Sequence, residues 1–490
     1  MKRNIFLTSL IFILILSLLA FAGCDDSFNT DPTKNSDEPL INDYYTPGLT
    51  FSLNDDGTAY SVTGYNGSST EVVIPSVYKD KPVVSVGDAF MDNAKIKSVT
   101  ISEGVESLGI FTFRNCSALE SLTLPNSLKS IVTGAFANCI NLRYNEYDNA
   151  YYIGNDKNPY LVVMKAKDTE ISSCRIHNDT KVISGWAFDS CTKLSSVTIP
   201  NGVKSICHSA FHRCSGLTSI ALPESVNYIE VSAFSNCSGL TSVTIPDNVT
   251  EIGNSSFSYC SALSRVTLSE NTVSLGDSVF SNCTSLTSLT IPKSVKSIGK
   301  NILNNCSSFQ SLFYDGEIAD WCQINFENET ANPLYYANEK YFKDGTTYKI
   351  ITNLTIPDLV TEIKPYAFYN FDDLTSLMIG SSVTKIGNSA FYGCSGLINV
   401  TLGGGLKTIG EKAFCGCSSL TSLNVPGGVN KIEAKAFSGC ENLSSVTFST
   451  ATGWMESRSS ILSYDALDVS DPAQNAAKLK AADYYTLERR

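Results

Sequence analysis

The chain is poor in the side chains that most often do chemistry. Only three histidines occur in 490 residues, His177, His208 and His212, which leaves little material for a histidine base or a histidine-held metal. His208 and His212 are four apart but fall in an irregular stretch, so surface histidines are expected there rather than ligands. No Gly-x-Ser-x-Gly elbow and no His-Glu-x-x-His pair is present, spacings that would set a nucleophile on a strained turn or two ligands on one helix face. Gly403-Gly404-Gly405 sits at a strand end, without the strand, glycine loop and helix that cradle a phosphate. Positive charge is scarce too. Lys and Arg total 36 against 48 Asp and Glu, a net charge of −12, which argues against nucleic acid or an anionic lipid surface as partner. No catalytic residue, metal or cofactor is expected.

What is present begins with a targeting segment. Lys2 and Arg3 form a positive end, Ile5 to Phe21 an apolar run, and Ala22-Gly23-Cys24 a small-residue cleavage site. A plain secretory signal does not need the cysteine. The pattern resembles a bacterial lipobox, with Phe21 where leucine is usual, and so implies lipidation of Cys24 and a membrane anchor. Residues 25–46 carry Asp25, Asp26, Asp31, Asp37, Glu38 and two prolines. Such a composition buries too little apolar surface to fold and reads as a tether.

From there one phrase recurs. Between Phe188 and Leu303 the anchor position (Phe188, Phe211, Phe234, Phe257, Phe280, Leu303) repeats every 23 residues. Each copy reads like Leu240, Val243, Ile245, Pro246, Val249, Ile252, Gly253, Phe257. A period of 20 to 29 with Leu-x-x-Leu-x-Leu inside it marks leucine-rich repeats. The fold class expected is therefore mostly β, a leucine-rich-repeat solenoid with a parallel sheet on one face and a short C-terminal helix. Alternation turns Val243 and Ile245 inward and Ser242 and Thr244 outward. Pro246 ends the pairing, Gly253 is expected to permit a tight turn, and Phe257 fills the coil.

Earlier anchors are Phe90, Phe113 and Phe136; later ones are Phe368, Phe391, Phe414 and Phe437. Two intervals are long: 52 residues from Phe136 to Phe188 and 65 from Leu303 to Phe368. They predict inserts at about 141–169, read as a projecting hairpin, and at about 315–345. The repeat domain should run from 47 to 450, its open N-terminal end covered by a strand at 58–65. Residues 451–490 form a cap or tail, with Asp471-Pro472-Ala473-Gln474 as a helix start.

Eleven of the fifteen cysteines after Cys24 lie three residues beyond an anchor, as Cys260 does beyond Phe257. Secreted cysteines usually mean disulfides. Here Asn93 and Phe371 fill the same slot, so the position is one of packing, suited to a small buried hydrophobe with a weak donor.

The unit Ile-Pro-x-x-Val-x-x-Ile-Gly-x-x-Ala-Phe-x-x-Cys-x-x-Leu-x-x-Val-x, seen at Ile298-Gly299, at Ile386-Gly387-Asn388-Ser389-Ala390-Phe391-Tyr392-Gly393-Cys394 and at Ala413-Phe414, resembles the BspA-like leucine-rich-repeat surface proteins over roughly residues 70 to 450. The resemblance implies a bacterial cell-surface location and an interaction role, some members being adhesins for host matrix proteins or other cells. It transfers no binding residue. A protein partner is the first expectation and a glycan the alternative.

Two surfaces are candidates. One is the outward sheet face: Ser196, Thr198, Ser242, Thr244, Arg265, Thr267, Ser288 and Thr290, spaced about 4.8 Å from strand to strand. Threonine is also simply a good exposed strand residue. The other is the aromatic second insert, with Trp321, Tyr335 and Tyr336; these residue types anchor interfaces but also pack inserts onto their scaffold. Trp186 and Trp454 carry no readable signal.

Overall fold

The computed structural model describes residues 45–132, 134–458, 461–481 and 485–489. Cys24, the segment before it and almost all of the acidic stretch after it lie outside the described residues.

Most coils carry two strands, where one was expected. In the coil around Phe257 these are Ser242–Thr244 and the two-residue strand Glu251–Ile252. Both pair in parallel with their counterparts 23 residues on, Val243 with Val266 and Ile252 with Leu275. Val243 and Ile245 are 3% and 2% exposed. Pro246 has no N–H to donate, and its carbonyl accepts from Val249 N at 3.0 Å to close the turn. The second strand position gives the longest sheet, ten strands from Asn145–Tyr147 to Asn325–Phe326. The first gives several short sheets.

Inside, the anchors stack ring on ring. Phe188, Phe211, Phe234 and Phe257 are 5.0–5.3 Å apart, centroid to centroid, and within 6° of parallel. No single coil could bury such a ring. The neighbours above and below do so, at about 1.5–3 kcal/mol for each large apolar side chain removed from water.

Gly253 does not make a left-handed turn. It is needed for space, because a Cβ there would meet the Glu230 carbonyl carbon and Val231 N of the preceding coil at 2.6 Å. From Phe113 on, the residues two before and two after each anchor are left-handed, such as Ser255 (φ 56°) and Tyr259 (φ 60°) around Phe257.

The first insert does not project. Asn145–Tyr147, Ala150–Ile153 and Val162–Ala166 form an antiparallel run, and the last of these pairs in parallel with Val182–Ile183. The hairpin is thus the opening of the ten-stranded sheet. Ala150, Tyr152, Leu161 and Val163 are fully buried; a hairpin standing off the stack would have left all four in water. The coils before it end at Ser130–Ile131 and turn onto the flank of the following stack. There Gly185 N donates to Ile131 O at 3.3 Å, and Val182 and Cys207 join the apolar cluster of Leu108 and Ile131.

The second insert is also built in. Asn325–Phe326 pairs with Ser297–Ile298, and Glu339–Asp344 pairs with Ser311–Tyr314 before folding back through Thr347–Ile350. At either end the stack is covered. The Leu49–Leu53 strand pairs antiparallel with Tyr60–Tyr65. Tyr485–Arg489 runs antiparallel along Lys431–Ile432, which satisfies an otherwise open sheet edge. The helix Pro472–Ala481 is capped by Asp471, whose carboxylate accepts from Ala473 N and Gln474 N at 2.9 and 3.2 Å.

Candidate interaction surface

The residues of the sheet face stand where alternation puts them. Ser196, Thr198, Ser242, Thr244, Arg265, Thr267 and Thr290 are exposed and Ser288 is half-buried. The row beside them behaves differently. Ser195, Thr241 and Ser264 each donate a hydroxyl to the carbonyl oxygen of Ser172, Thr218 and Thr241, one coil back, at 3.0–3.3 Å. That row fastens coil to coil. Among the described residues none of the eight face side chains has a hydrogen-bond or ion-pair partner within the chain, and Arg265 is a cation without a counter-ion. The face is also uneven. At Ile220 and Ala221 the strand is lost, and a lone bridge between Ser219 and Ser242 is what remains of the pairing there.

The insert aromatics separate. Trp321 is fully buried and closes a seam. In regular coils the anchor N–H bonds the carbonyl just before the next anchor, as Phe211 N does to Ala233 O at 2.8 Å. Before Phe368, Trp321 Nε1 and Asn332 Nδ2 donate to that carbonyl, Ala367 O, instead, at 2.6 and 3.0 Å. Trp321 is therefore core and not an interface anchor. Tyr336 is half-buried, its hydroxyl donating to Thr330 O at 3.0 Å. Tyr335 is exposed and has company that sequence reasoning missed: its ring lies 5.9 Å from Tyr369, which stacks on Tyr392 at 4.8 Å and 3°, with Tyr366 6.1 Å away. The signal was available, since Tyr369 and Tyr392 follow successive anchors, but nothing in the sequence placed Tyr335 beside them. Lys340 of this insert is buried and bonded to Asp372 and Asp373 at 2.7 and 3.2 Å, tying insert to stack.

The described cysteines other than Cys415 are free thiols, and all of them are buried. Among the described residues no group of three or more His, Cys, Asp or Glu side chains converges as a metal site would. His212 shares a hydrogen bond of 2.7 Å with Asp189, and His177 stacks on Tyr160 at 4.0 Å. Trp454 is buried, its indole N–H bonded to Thr450 O at 3.0 Å. No described helix is long and apolar enough to cross a membrane.

The family model for BspA type leucine rich repeat regions matches residues 80–156, 166–261, 232–344 and 338–458. Several solved structures are similar. A leucine-rich repeat protein from Bacteroides ovatus is 24% identical with a TM-score of 0.38, over 83% of this chain and 94% of that one. A leucine rich cell surface protein from Faecalibacterium prausnitzii is 25% identical with a TM-score of 0.33, over 84% and 89%. The pneumococcal vaccine antigen PcpA is 17% identical with a TM-score of 0.32, over 84% and 83%. No curated protein matches the chain.

Proposed function

This chain belongs to the BspA-type leucine-rich-repeat family, and from that premise we propose that it is a lipid-anchored cell-surface protein whose sheet face binds a protein of a host matrix or a neighbouring cell. One observation carries the reading: Ser196 through Thr290 present hydroxyls and one unpaired arginine that the fold does not use, beside a row of hydroxyls that it does use. Polar groups with no internal partner bond to water or to a ligand. A repeat array gathers them on one extended surface, the usual binding surface of solenoids. The interruption at Ile220-Ala221 supports a protein over a glycan, because a regular polymer would read a regular lattice. Cys24 is the proposed lipid attachment point, on the strength of the apolar run and Ala22-Gly23 before it.

The test is binding of the full-length protein to arrays of matrix proteins and glycans, with Arg265→Glu and Thr244→Arg as variants. The reading expects a protein ligand lost in both variants, each of which keeps its thermal unfolding. Binding confined to glycans, or untouched by both substitutions, would overturn it. Radiolabelled fatty acid incorporated into the chain and abolished by Cys24→Ser tests the anchor.

A further inference from the structure

Where the first coils turn onto the flank of the stack, they leave a cleft of about 310 Å³ lined by Phe136, Asn138, Tyr144, Lys165, Ser184 and Trp186 among others. We infer that this cleft is a second binding site, independent of the sheet face, and that it takes a sugar ring bearing a carboxylate.

Trp186 is the first reason. It is 51% exposed and held left-handed at φ 62°, a conformation that bulky residues adopt at a cost. In the next four coils the same slot holds Ser209, Ser232, Ser255 and Ser278, so the fold does not require an indole there. The second reason is Lys165. Its ammonium lies 4.9 and 5.5 Å from the ring centroids of Tyr144 and Tyr151, and among the described residues it has no anionic partner. Lys167, just past the end of that strand, is paired with Glu146 at 2.8 Å. In a chain of net charge −12, a lysine left unpaired at the mouth of a cleft is a place for an anion.

Size and polarity narrow the occupant. The volume is at the lower end for small-ligand pockets; it suits one ring and does not admit a peptide helix or strand. A sugar would lay its C–H face on the indole. Asn138 donates its amide N–H to Asn115 Oδ1 at 2.7 Å and keeps its own oxygen available to a sugar hydroxyl. Ser184 Oγ, donating to Met164 O at 3.0 Å, can still accept. The carboxylate would sit on Lys165.

Calorimetric titration of the full-length protein with a glucuronate oligosaccharide, a neutral glucose oligosaccharide of equal length and an acidic peptide tests this. The glucuronate oligosaccharide should bind, and the neutral one about tenfold more weakly or worse. Trp186→Asn, which keeps a residue tolerant of the left-handed backbone, and Lys165→Gln should each cost about tenfold, and Lys165→Arg should restore binding. Equal affinity for the neutral sugar, preference for the acidic peptide, or indifference to Lys165→Gln would overturn the inference. Should Trp186→Asn fail to fold, the Lys165 pair decides alone. Loss of sheet-face binding in Arg265→Glu would leave these results unchanged.

Discussion

The thiol of Cys260 donates to the carbonyl oxygen of Phe234, one coil back, at 3.2 Å. Nine more cysteines do the same to the anchor 26 residues before them, Cys116 to Phe90 and Cys440 to Phe414 among these, at 2.9–3.3 Å. The acceptor already receives a backbone N–H, as Phe234 O does from Cys237, and the thiol takes its remaining lone pair. The column is a line of small donors reaching from coil to coil, which explains why cysteine recurs without a disulfide.

Replacing Cys260 by alanine removes both the bond and the sulfur's volume from a fully buried position. The expected loss is about 1–2 kcal/mol, read as a shift of the urea midpoint. A change smaller than a few tenths would mean that the column is decorative.

Burial raises the thiols, to about 11 for Cys139, Cys191 and Cys306 and to about 12 for Cys116 and Cys237. The unfolded chain holds its thiols near 8.5, so the folded state binds more protons above that pH. Their contribution is whole below about pH 8.5 and is lost as pH climbs toward 11 and 12, by about 1.4 kcal/mol per unit for each thiol. Stability in urea should be level from pH 6 to 8 and fall steeply above 9. At pH 8 iodoacetamide should label these positions only as fast as the chain unfolds. Rapid labelling of the native protein would contradict the packing.

Trp321→Phe keeps most of the ring and removes the N–H that bonds Ala367 O, leaving Asn332 as that carbonyl's side-chain donor. A loss of about 1–3 kcal/mol is expected. Because the seam joins the coils before and after the insert, calorimetry should then resolve two transitions in place of one.

The period, the anchors and the cysteine column were legible because they rest on apolar spacing, and apolar spacing is what a coil needs to bury. The second strand position was not legible: Glu251–Ile252 is two residues long and leaves no alternation to read. The left-handed positions hold Ser255, Tyr259, Arg213 and Lys412, types that signal nothing, so Gly253 attracted a role that belongs to them. The first insert read as a hairpin correctly and as projecting wrongly, since its apolar side chains are consumed in closing the flank. Of the candidate sites, the face residues could be placed by parity alone. Trp321 and the tyrosines around Tyr335 depend on how insert and stack meet, which composition does not carry.

The claim beneath all of this is that a coil is folded by its neighbours and is interchangeable with them. Deleting residues 235–257, one period of 23, rejoins Phe234 to Ser258 in register, while deleting 235–246 breaks it. Thermal unfolding of the two proteins should show a cooperative transition kept in the first and lost in the second. Equal tolerance of both deletions, or collapse of both, would contradict it.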